Sequence, residues 1–410
     1  MRLLVLALGL AAPALLRAEH DAAPKACAPC DPAGGAAAGA CLAACQAART
    51  LNAKWLRQAK GEWEDTQFWG SGNAVQALTD YSLYADQLIG SRAFEMEPVI
   101  RGIFKARGTI SIELLGLGSY DDMQWWSLAY ANAGALLNDT AMVSSASAVF
   151  DHVWAKAYSN SSKECGGGVW WSSKRHYKNA ITNELAISIA AVLHKATGEQ
   201  RYLDLALAQW AWFQSSGMLN HKTGAICDGL SIDKTTFKCS GSGKTSYTYN
   251  QGVVLGGLAH LHGIARMPNG DKDQSLLDSA HVIANGTMAL YTTAGGILQE
   301  ENPIHDRDGA LFKGIFMRNL RLLIEECDSA PHYSPNVQHA DVYRAFIKKN
   351  MESMVARAQT EQGLYGAYWQ GPVDPHAVGC AQPGKAECGN ATGTVAQISA
   401  LELLSASIGL

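Results

Sequence analysis

The chain has 410 residues, of which 48% are hydrophobic and 17% charged, with a formal net charge of −4. So weak a negative charge supplies no basic field for nucleic acid, and so apolar a composition excludes a disordered chain; a neutral partner fits best. Eleven Trp and fourteen Tyr against nine Phe favour rings with a polar edge, which suits a hydroxyl-rich ligand, although most of the Trp are expected to fill core.

From the N-terminus, an apolar run behind Arg2 extends to Leu16 and ends in Leu16-Arg17-Ala18. This reads as a secretory signal over residues 1–18, too short for a comfortable membrane span. A Cys-, Ala- and Gly-rich leader over 19–45 and a single domain over 46–410 are expected to follow. Ten cysteines, an even number, suit an oxidising compartment. Cys27-x-x-Cys30 has no strand before it and no matching histidine pair after it, so it reads as part of a disulfide framework and not as a zinc or redox motif. Cys227 with Cys239, and Cys380 with Cys388, are spaced for local bridges. Asn138, Asn160, Asn285 and Asn390 open glycosylation sequons.

Apolar period and Gly, Asn, Asp and Pro breakers predict twelve helices and almost no strand. They fall near 41–64, 70–90, 94–107, 121–137, 141–158, 179–197, 200–216, 249–266, 273–292, 310–327, 336–359 and 393–408. The helices starting near 70, 121, 179, 249, 310 and 393 carry few charges on any side and read as buried. Their partners are amphipathic. Six buried helices alternating with six half-exposed ones describe an all-α double ring, the (α/α)6 barrel. The stretch from Val395 to Leu410 carries Glu402 and lacks a polar spacer, so it reads as a last packed helix and not as a lipid-anchor tail.

In such a barrel the turns entering the inner helices meet at one mouth, and the unusual motifs sit there. Asp121 and Asp122 precede Trp125 and Trp126 by one helical turn, so each carboxylate shares a face with an indole. Asp at a helix start ordinarily caps free N–H groups. An acid pair beside flat aromatic surfaces is also what sugar cleavage requires, since two carboxyl groups must reach one anomeric carbon. Gly166-Gly167-Gly168-Val169-Trp170-Trp171, Lys178-Asn179-Ala180-Ile181-Thr182-Asn183-Glu184, Tyr249-Asn250-Gln251-Gly252 and Phe312-Lys313-Gly314-Ile315-Phe316 enter the neighbouring inner helices.

These motifs, in this order, resemble glycoside hydrolase family 76, the secreted α-1,6-mannanases and related mannan-modifying enzymes, from about residue 55 to the C-terminus. The resemblance implies an (α/α)6 barrel that cleaves or transfers α-1,6-linked mannose chains with retention, with Asp121 as nucleophile and Asp122 as general acid/base. Neighbouring residues diverge by roughly 100° about a helix axis, which can give the ~5–5.5 Å carboxyl separation of a retaining pair. Trp125, Trp126, Trp170, Trp171 and Tyr249 are candidate sugar platforms. Asn179, Asn183, Asn250 and Gln251 offer amides to mannose hydroxyls or caps to inner helices. Glu184 is placed to orient an aspartate or bind a hydroxyl. Lys313 and Arg318 are candidates to touch substrate or balance the acids, with a buried salt bridge as the alternative. No cofactor is implied, and His176 and His305 lack partners that would define a metal site. The expected protein is an exported or cell-wall monomer acting as an endo-α-1,6-mannanase on mannan. A wall-glycan transglycosylase of the same fold, or a mannan-binding protein without catalysis, are the alternatives.

Overall fold

The computed structural model describes residues 27, 30, 36–90, 95–108, 118–233, 235–241, 246–300, 308–329, 334–374 and 390–410. The expected signal at 1–18, His305 and the expected Cys380–Cys388 bridge lie outside them.

Six helices form the inner ring: α2 (Phe68–Ile89), α4 (Tyr120–Leu137), α6 (Ala180–Thr197), α8 (Thr248–Ile264), α10 (Gly309–Ser329) and α12 (Thr394–Ser407). Each packs on the next, and α12 closes the ring against α2. The outer layer is α1 (Ala36–Trp55), α3 (Glu97–Arg107), α5 (Thr140–Ala157), α7 (Gln200–Ser215), α9 (Gln274–Leu290) and α11 (Ser334–Arg357). This is the (α/α)6 barrel. Inner helices bury nearly every residue, as all of Thr394–Ser407 does in α12. Outer helices bury one stripe, as α7 does with Tyr202, Leu203, Ala206, Gln209, Trp210 and Phe213. Small residues let the inner helices touch: a Cβ on Gly252 would stand 2.6 Å from the Phe316 Cα of α10.

Boundaries follow local chemistry. Asp139 caps α5 by accepting from the N–H groups of Ala141 and Met142, and Asn138 ends α4 in the left-handed conformation. The first helix departs from expectation at both ends. It begins at Ala36, inside the stretch read as leader, and stops at Trp55, where a short hairpin of β1 (Leu56–Arg57) and β2 (Glu62–Trp63) turns the chain. Disulfides Cys27–Cys45 and Cys30–Cys41 fasten the preceding segment to α1.

A second small sheet has the order β3 (Lys178–Asn179), β4 (Gly229–Ile232) and β5 (Cys239–Gly241). Its register corrects the expected Cys227–Cys239 bridge. Cys239 lies opposite Ile232, so Cys227 falls beyond the paired residues. Cys239 instead bonds Cys165 across 74 residues, and Cys227 remains a thiol directed at the Gly229 carbonyl. No helix among the described residues is long and apolar enough to cross a membrane.

Candidate active site

Residues near the starts of four inner helices, with the loops before them and the residue that caps a fifth, line a cavity of about 370 Å³. Asp121, Asp122 and Trp125 come from α4, Trp69 from α2, Tyr249 from α8 and Phe312 from α10, while Asn179 stands at the entry to α6. Four rings make its aromatic floor and wall. Tyr249 stacks on Phe312 at 4.0 Å and 9°, Trp125 lies 6.4 Å from Tyr249 at 19°, and Trp69 touches both Trp125 and Phe312. Trp171, 41% exposed, stands at the rim with its edge toward Tyr177.

The carboxyl pair departs from helix capping in the sign of its proton affinity. A helix N-terminus stabilises an anion by ~0.3–1 kcal/mol and so lowers a carboxyl pKa by less than one unit. Here both acids move up. Burial and the neighbouring Asp122 carboxylate push Asp121 up to about 7, and burial pushes Asp122 up to about 6, against the opposing hydrogen bonds of the Ser119 hydroxyl. Desolvation therefore outweighs the dipole, and the pair shares one proton at weakly acidic pH. If that singly protonated pair is the working form, the rate is bell-shaped between about 6 and about 7. It falls on the acid side as the second carboxyl protonates and on the alkaline side as the shared proton leaves. A kcat/KM profile flat from about pH 4 to 8 would contradict this.

Of the candidate platforms and amides, Trp125, Trp171, Asn179 and Tyr249 line the cavity; the others do not. Trp126 is fully buried, donating to the Phe68 carbonyl at 2.8 Å beneath the Arg107 guanidinium. Trp170 is buried against the Lys178 ammonium. Asn183 spends its amide on both polar groups of Val169, on the Asn179 carbonyl and on Gln209. Gln251 holds both polar groups of Ile226 and the Ser246 hydroxyl. Asn250 reaches Asp228 at 3.4 Å. Glu184 is wholly buried with neither carboxyl oxygen bonded, and burial followed by the charge of Asp228 holds it well above the usual carboxylate range. These groups shape the loops behind the cavity.

The two basic candidates are also structural. Lys313 is buried, donates to the Ala367 carbonyl at 2.5 Å, lies 4.8 Å from the Trp369 ring and is pulled down to about 8 by burial. Arg318 donates to Asn73 at 2.7 Å and to Glu402, with its guanidinium 5.5 Å from the centre of the Trp125 ring.

Residues not singled out as site candidates in the sequence complete the wall: Gln67, Trp69, Ser119, Tyr177, Asp228, Tyr247, Asp308 and Phe312. Asp228 is fixed by the Tyr177 hydroxyl at 2.6 Å, and Gln67 crosses to Asp308 at 3.1 Å. Trp69, Tyr247 and Phe312 belong to the same entry turns as the other candidates, which is the signal that could have found them. Asp228 sits in a loop ahead of β4 and has no such signal.

A cavity of about 340 Å³ at the other end of the ring includes Asp80, Lys195, His260, Glu325 and Glu326. Its acids are occupied: Gln76 bonds Asp80, Arg321 bonds Glu325, and Lys272 and His262 bond Glu326. Its adjacent acids, Glu325 and Glu326, are engaged by these partners and do not stand among stacked rings. No three His, Cys, Asp or Glu among the described residues stand together as a metal site.

Adjacent carboxyls of raised proton affinity, set in an aromatic cleft at the mouth of a double helical ring, fit the architecture of a carbohydrate-cleaving enzyme. The chain belongs to glycosyl hydrolase family 76, whose model matches residues 41–408. It is 33% identical over 172 residues to the mannan endo-1,6-alpha-mannosidase DFG5 of Saccharomyces cerevisiae, covering 39% of this chain and 35% of that one. It is 28% identical over 277 residues to the mannan endo-1,6-alpha-mannosidase DCW1 of Candida albicans, covering 62% and 58%. The chain thus spans between a third and three fifths of these relatives' lengths. Among solved structures, the GH76A α-1,6-mannanase of Salegentibacter sp. HEL1_6 superimposes with a TM-score of 0.71 at 20% identity, over 90% of this chain and 98% of that one. An inactive variant of that enzyme, with two consecutive aspartates changed to asparagine, is in complex with α-1,6-mannotriose and superimposes equally well.

Proposed function

We propose that the chain is an exported, retaining endo-α-1,6-mannanase that works as a monomer. The observation that carries the reading is the position of Asp121 and Asp122, side by side with raised proton affinity inside an aromatic cleft. One carboxylate attacks the anomeric carbon while the other protonates the departing glycosidic oxygen and then takes a proton from water. Following the family resemblance, Asp121 is the nucleophile. The two carboxyls titrate as a pair, and turnover requires the single proton to stand on Asp122 when Asp121 attacks.

Aromatic faces cover the apolar side of a pyranose, and Asn179 and Asp228 stand among them to meet hydroxyls. A cleft open at the rim suits attack within a chain. Disulfides at Cys27–Cys45, Cys30–Cys41 and Cys165–Cys239 fit an oxidising compartment. Trp171 at the rim is an outlying platform. Its truncation to Ala is expected to raise KM for α-1,6-mannotetraose about tenfold with kcat little changed, in steady-state assays.

The test is to incubate the purified protein with linear α-1,6-mannan and size the products. Mixed oligosaccharides from the earliest times support internal cleavage; an unshortened polymer refutes the reading. The exposed Trp171 face also favours a second outcome, because an acceptor sugar stacked there could resolve the intermediate in place of water. Products elongated by an added mannoside would identify that transglycosylase.

A further inference from the structure

The strongest unassigned feature is a buried cation behind the catalytic turn. Lys178 has no carboxylate within ion-pair distance among the described residues. Its Nζ donates to three main-chain carbonyls of one loop, those of Ser159 (3.4 Å), Glu164 (2.6 Å) and Gly167 (2.5 Å). The ammonium also lies 4.7 Å from the Trp170 ring and 5.8 Å from the Trp212 ring. Three carbonyl dipoles and two π faces stabilise the charge where a counter-ion is missing. Burial pulls it down to about 8, with the Glu164 charge opposing and Arg175 adding to that shift. It therefore stays cationic at the weakly acidic pH where the acid pair shares its proton.

The loop it gathers is tightly seated. A Cβ on Gly168, whose φ is 87°, would stand 2.2 Å from the Trp212 ring, so this residue must be glycine on two grounds. Trp212 donates to the Cys165 carbonyl at 2.9 Å, and Cys165 is itself bonded to Cys239. From this loop the connection to the acids is main chain. The Trp171 N–H donates to the Tyr177 carbonyl at 2.9 Å, and the Trp171 carbonyl accepts from the Tyr120 N–H at 2.7 Å. Ser119 bridges to Ser172 alongside. Ser119 and Tyr120 immediately precede Asp121, and the Ser119 hydroxyl opposes the rise in proton affinity of both carboxyls.

We propose that Lys178 is a positioning residue for the acid pair. By drawing the loop from Ser159 to Gly167 onto its ammonium, it fixes the Trp171 carbonyl that holds Tyr120, and with it the register of Asp121 and Asp122 at the start of α4. Lys178 is not among the cleft-lining residues, so it acts through the loop and not on the sugar. The kinetic part of this inference rests on the mannanase reading; the geometric part does not.

The test compares the parent with Lys178→Met, which keeps the stem and removes the donors, and Lys178→Arg, which keeps a cation. In folded Lys178→Met, kcat on α-1,6-mannotetraose is expected to fall about 100-fold with KM changed by less than about threefold, the effect of misplacing reacting groups by about 1 Å. The alkaline limb of its pH–rate profile moves down toward the ordinary carboxylate range as water reaches the pair. Exchange of the Tyr120 amide proton accelerates about tenfold or more as its bond to Trp171 loosens. Lys178→Arg recovers most of kcat and restores the limb. If Lys178→Met does not fold, Trp212→Phe, which removes the bond to Cys165, must give the same pattern in weaker form. Parent-like kcat, limb and exchange in a folded variant would overturn the proposal, as would a loss of activity matched only by loss of folded protein. If the parent itself leaves mannotetraose uncut, the mannanase reading fails instead, and Tyr120 exchange alone decides the role of Lys178.

Discussion

Changing Asp122 to Asn is expected to lower kcat on α-1,6-mannan by about 10²–10⁴, the contribution of a positioned proton donor. Asp121→Asn, which removes the carboxylate proposed to attack, is expected to lower it by about 10⁴ or more. Both variants keep the aromatic floor, so their affinity for α-1,6-mannotriose by calorimetry should stay close to the parent's. Substantial turnover in both would end the assignment of roles. The same substitutions should stabilise the fold. Asp121 has a native pKa of about 7 against an ordinary 3.8. Between those values the native state binds more protons than the unfolded one, so stability falls as pH rises through that window. Asn removes this contribution. The melting temperature of Asp121→Asn should therefore exceed the parent's at about pH 7, with the difference closing toward about pH 4.

The largest stability effect is expected beside Trp125. Arg318→Met removes a buried guanidinium from Glu402, Asn73 and the Trp125 ring. Stripping one partner from a buried pair costs about 3–5 kcal/mol, to be read as a lower urea midpoint near neutral pH. Burial pushes Glu402 up to about 8 even against the pull of Arg318, compared with an ordinary 4.5. Without the arginine its proton affinity rises further, so the carboxyl is neutral in both proteins below about 8 and the loss should grow only as pH rises above that. Arg318→Met combined with Glu402→Gln should recover part of the loss, because the orphaned buried carboxyl is gone. Equal midpoints for the single variant and the parent would show that the ring does not depend on this pair.

Much of the fold was legible because inner and outer helices differ in composition and are separated by strong breakers. Asn138, Asp139 and the Gly198 that ends α6 mark boundaries that local chemistry sets. The first helix was less legible: an Ala-rich leader and the start of a helix look alike in sequence, and the hairpin after Trp55 is only two residues a side. In the site, positions on the first turn of an inner helix could be read, since the mouth geometry places Asp121, Asp122, Trp125 and Tyr249 together. Polar residues one step further round or down could not. Asn183, Gln251 and Lys313 have the residue types of sugar ligands, and spacing does not say whether such a group faces the cleft or an adjacent loop. Their partners, Val169, Ile226 and Ala367, lie 14, 25 and 54 residues away in sequence. Asp228 was invisible for the complementary reason: it arrives at the wall through the short pairing of β4 with β3 and belongs to no periodic pattern. The pairing of β5 with β4 sets Cys239 opposite Ile232 and away from Cys227, and its bond is to Cys165.

Stereochemistry at the cleaved bond tests the adjacent acids most directly. Proton NMR of α-1,6-mannotetraose during its first turnovers, before the sugars mutarotate, should show new reducing ends in the α configuration, as two successive displacements at one carbon demand. If β ends form first, a single attack by water is at work, and Asp121 cannot be the nucleophile.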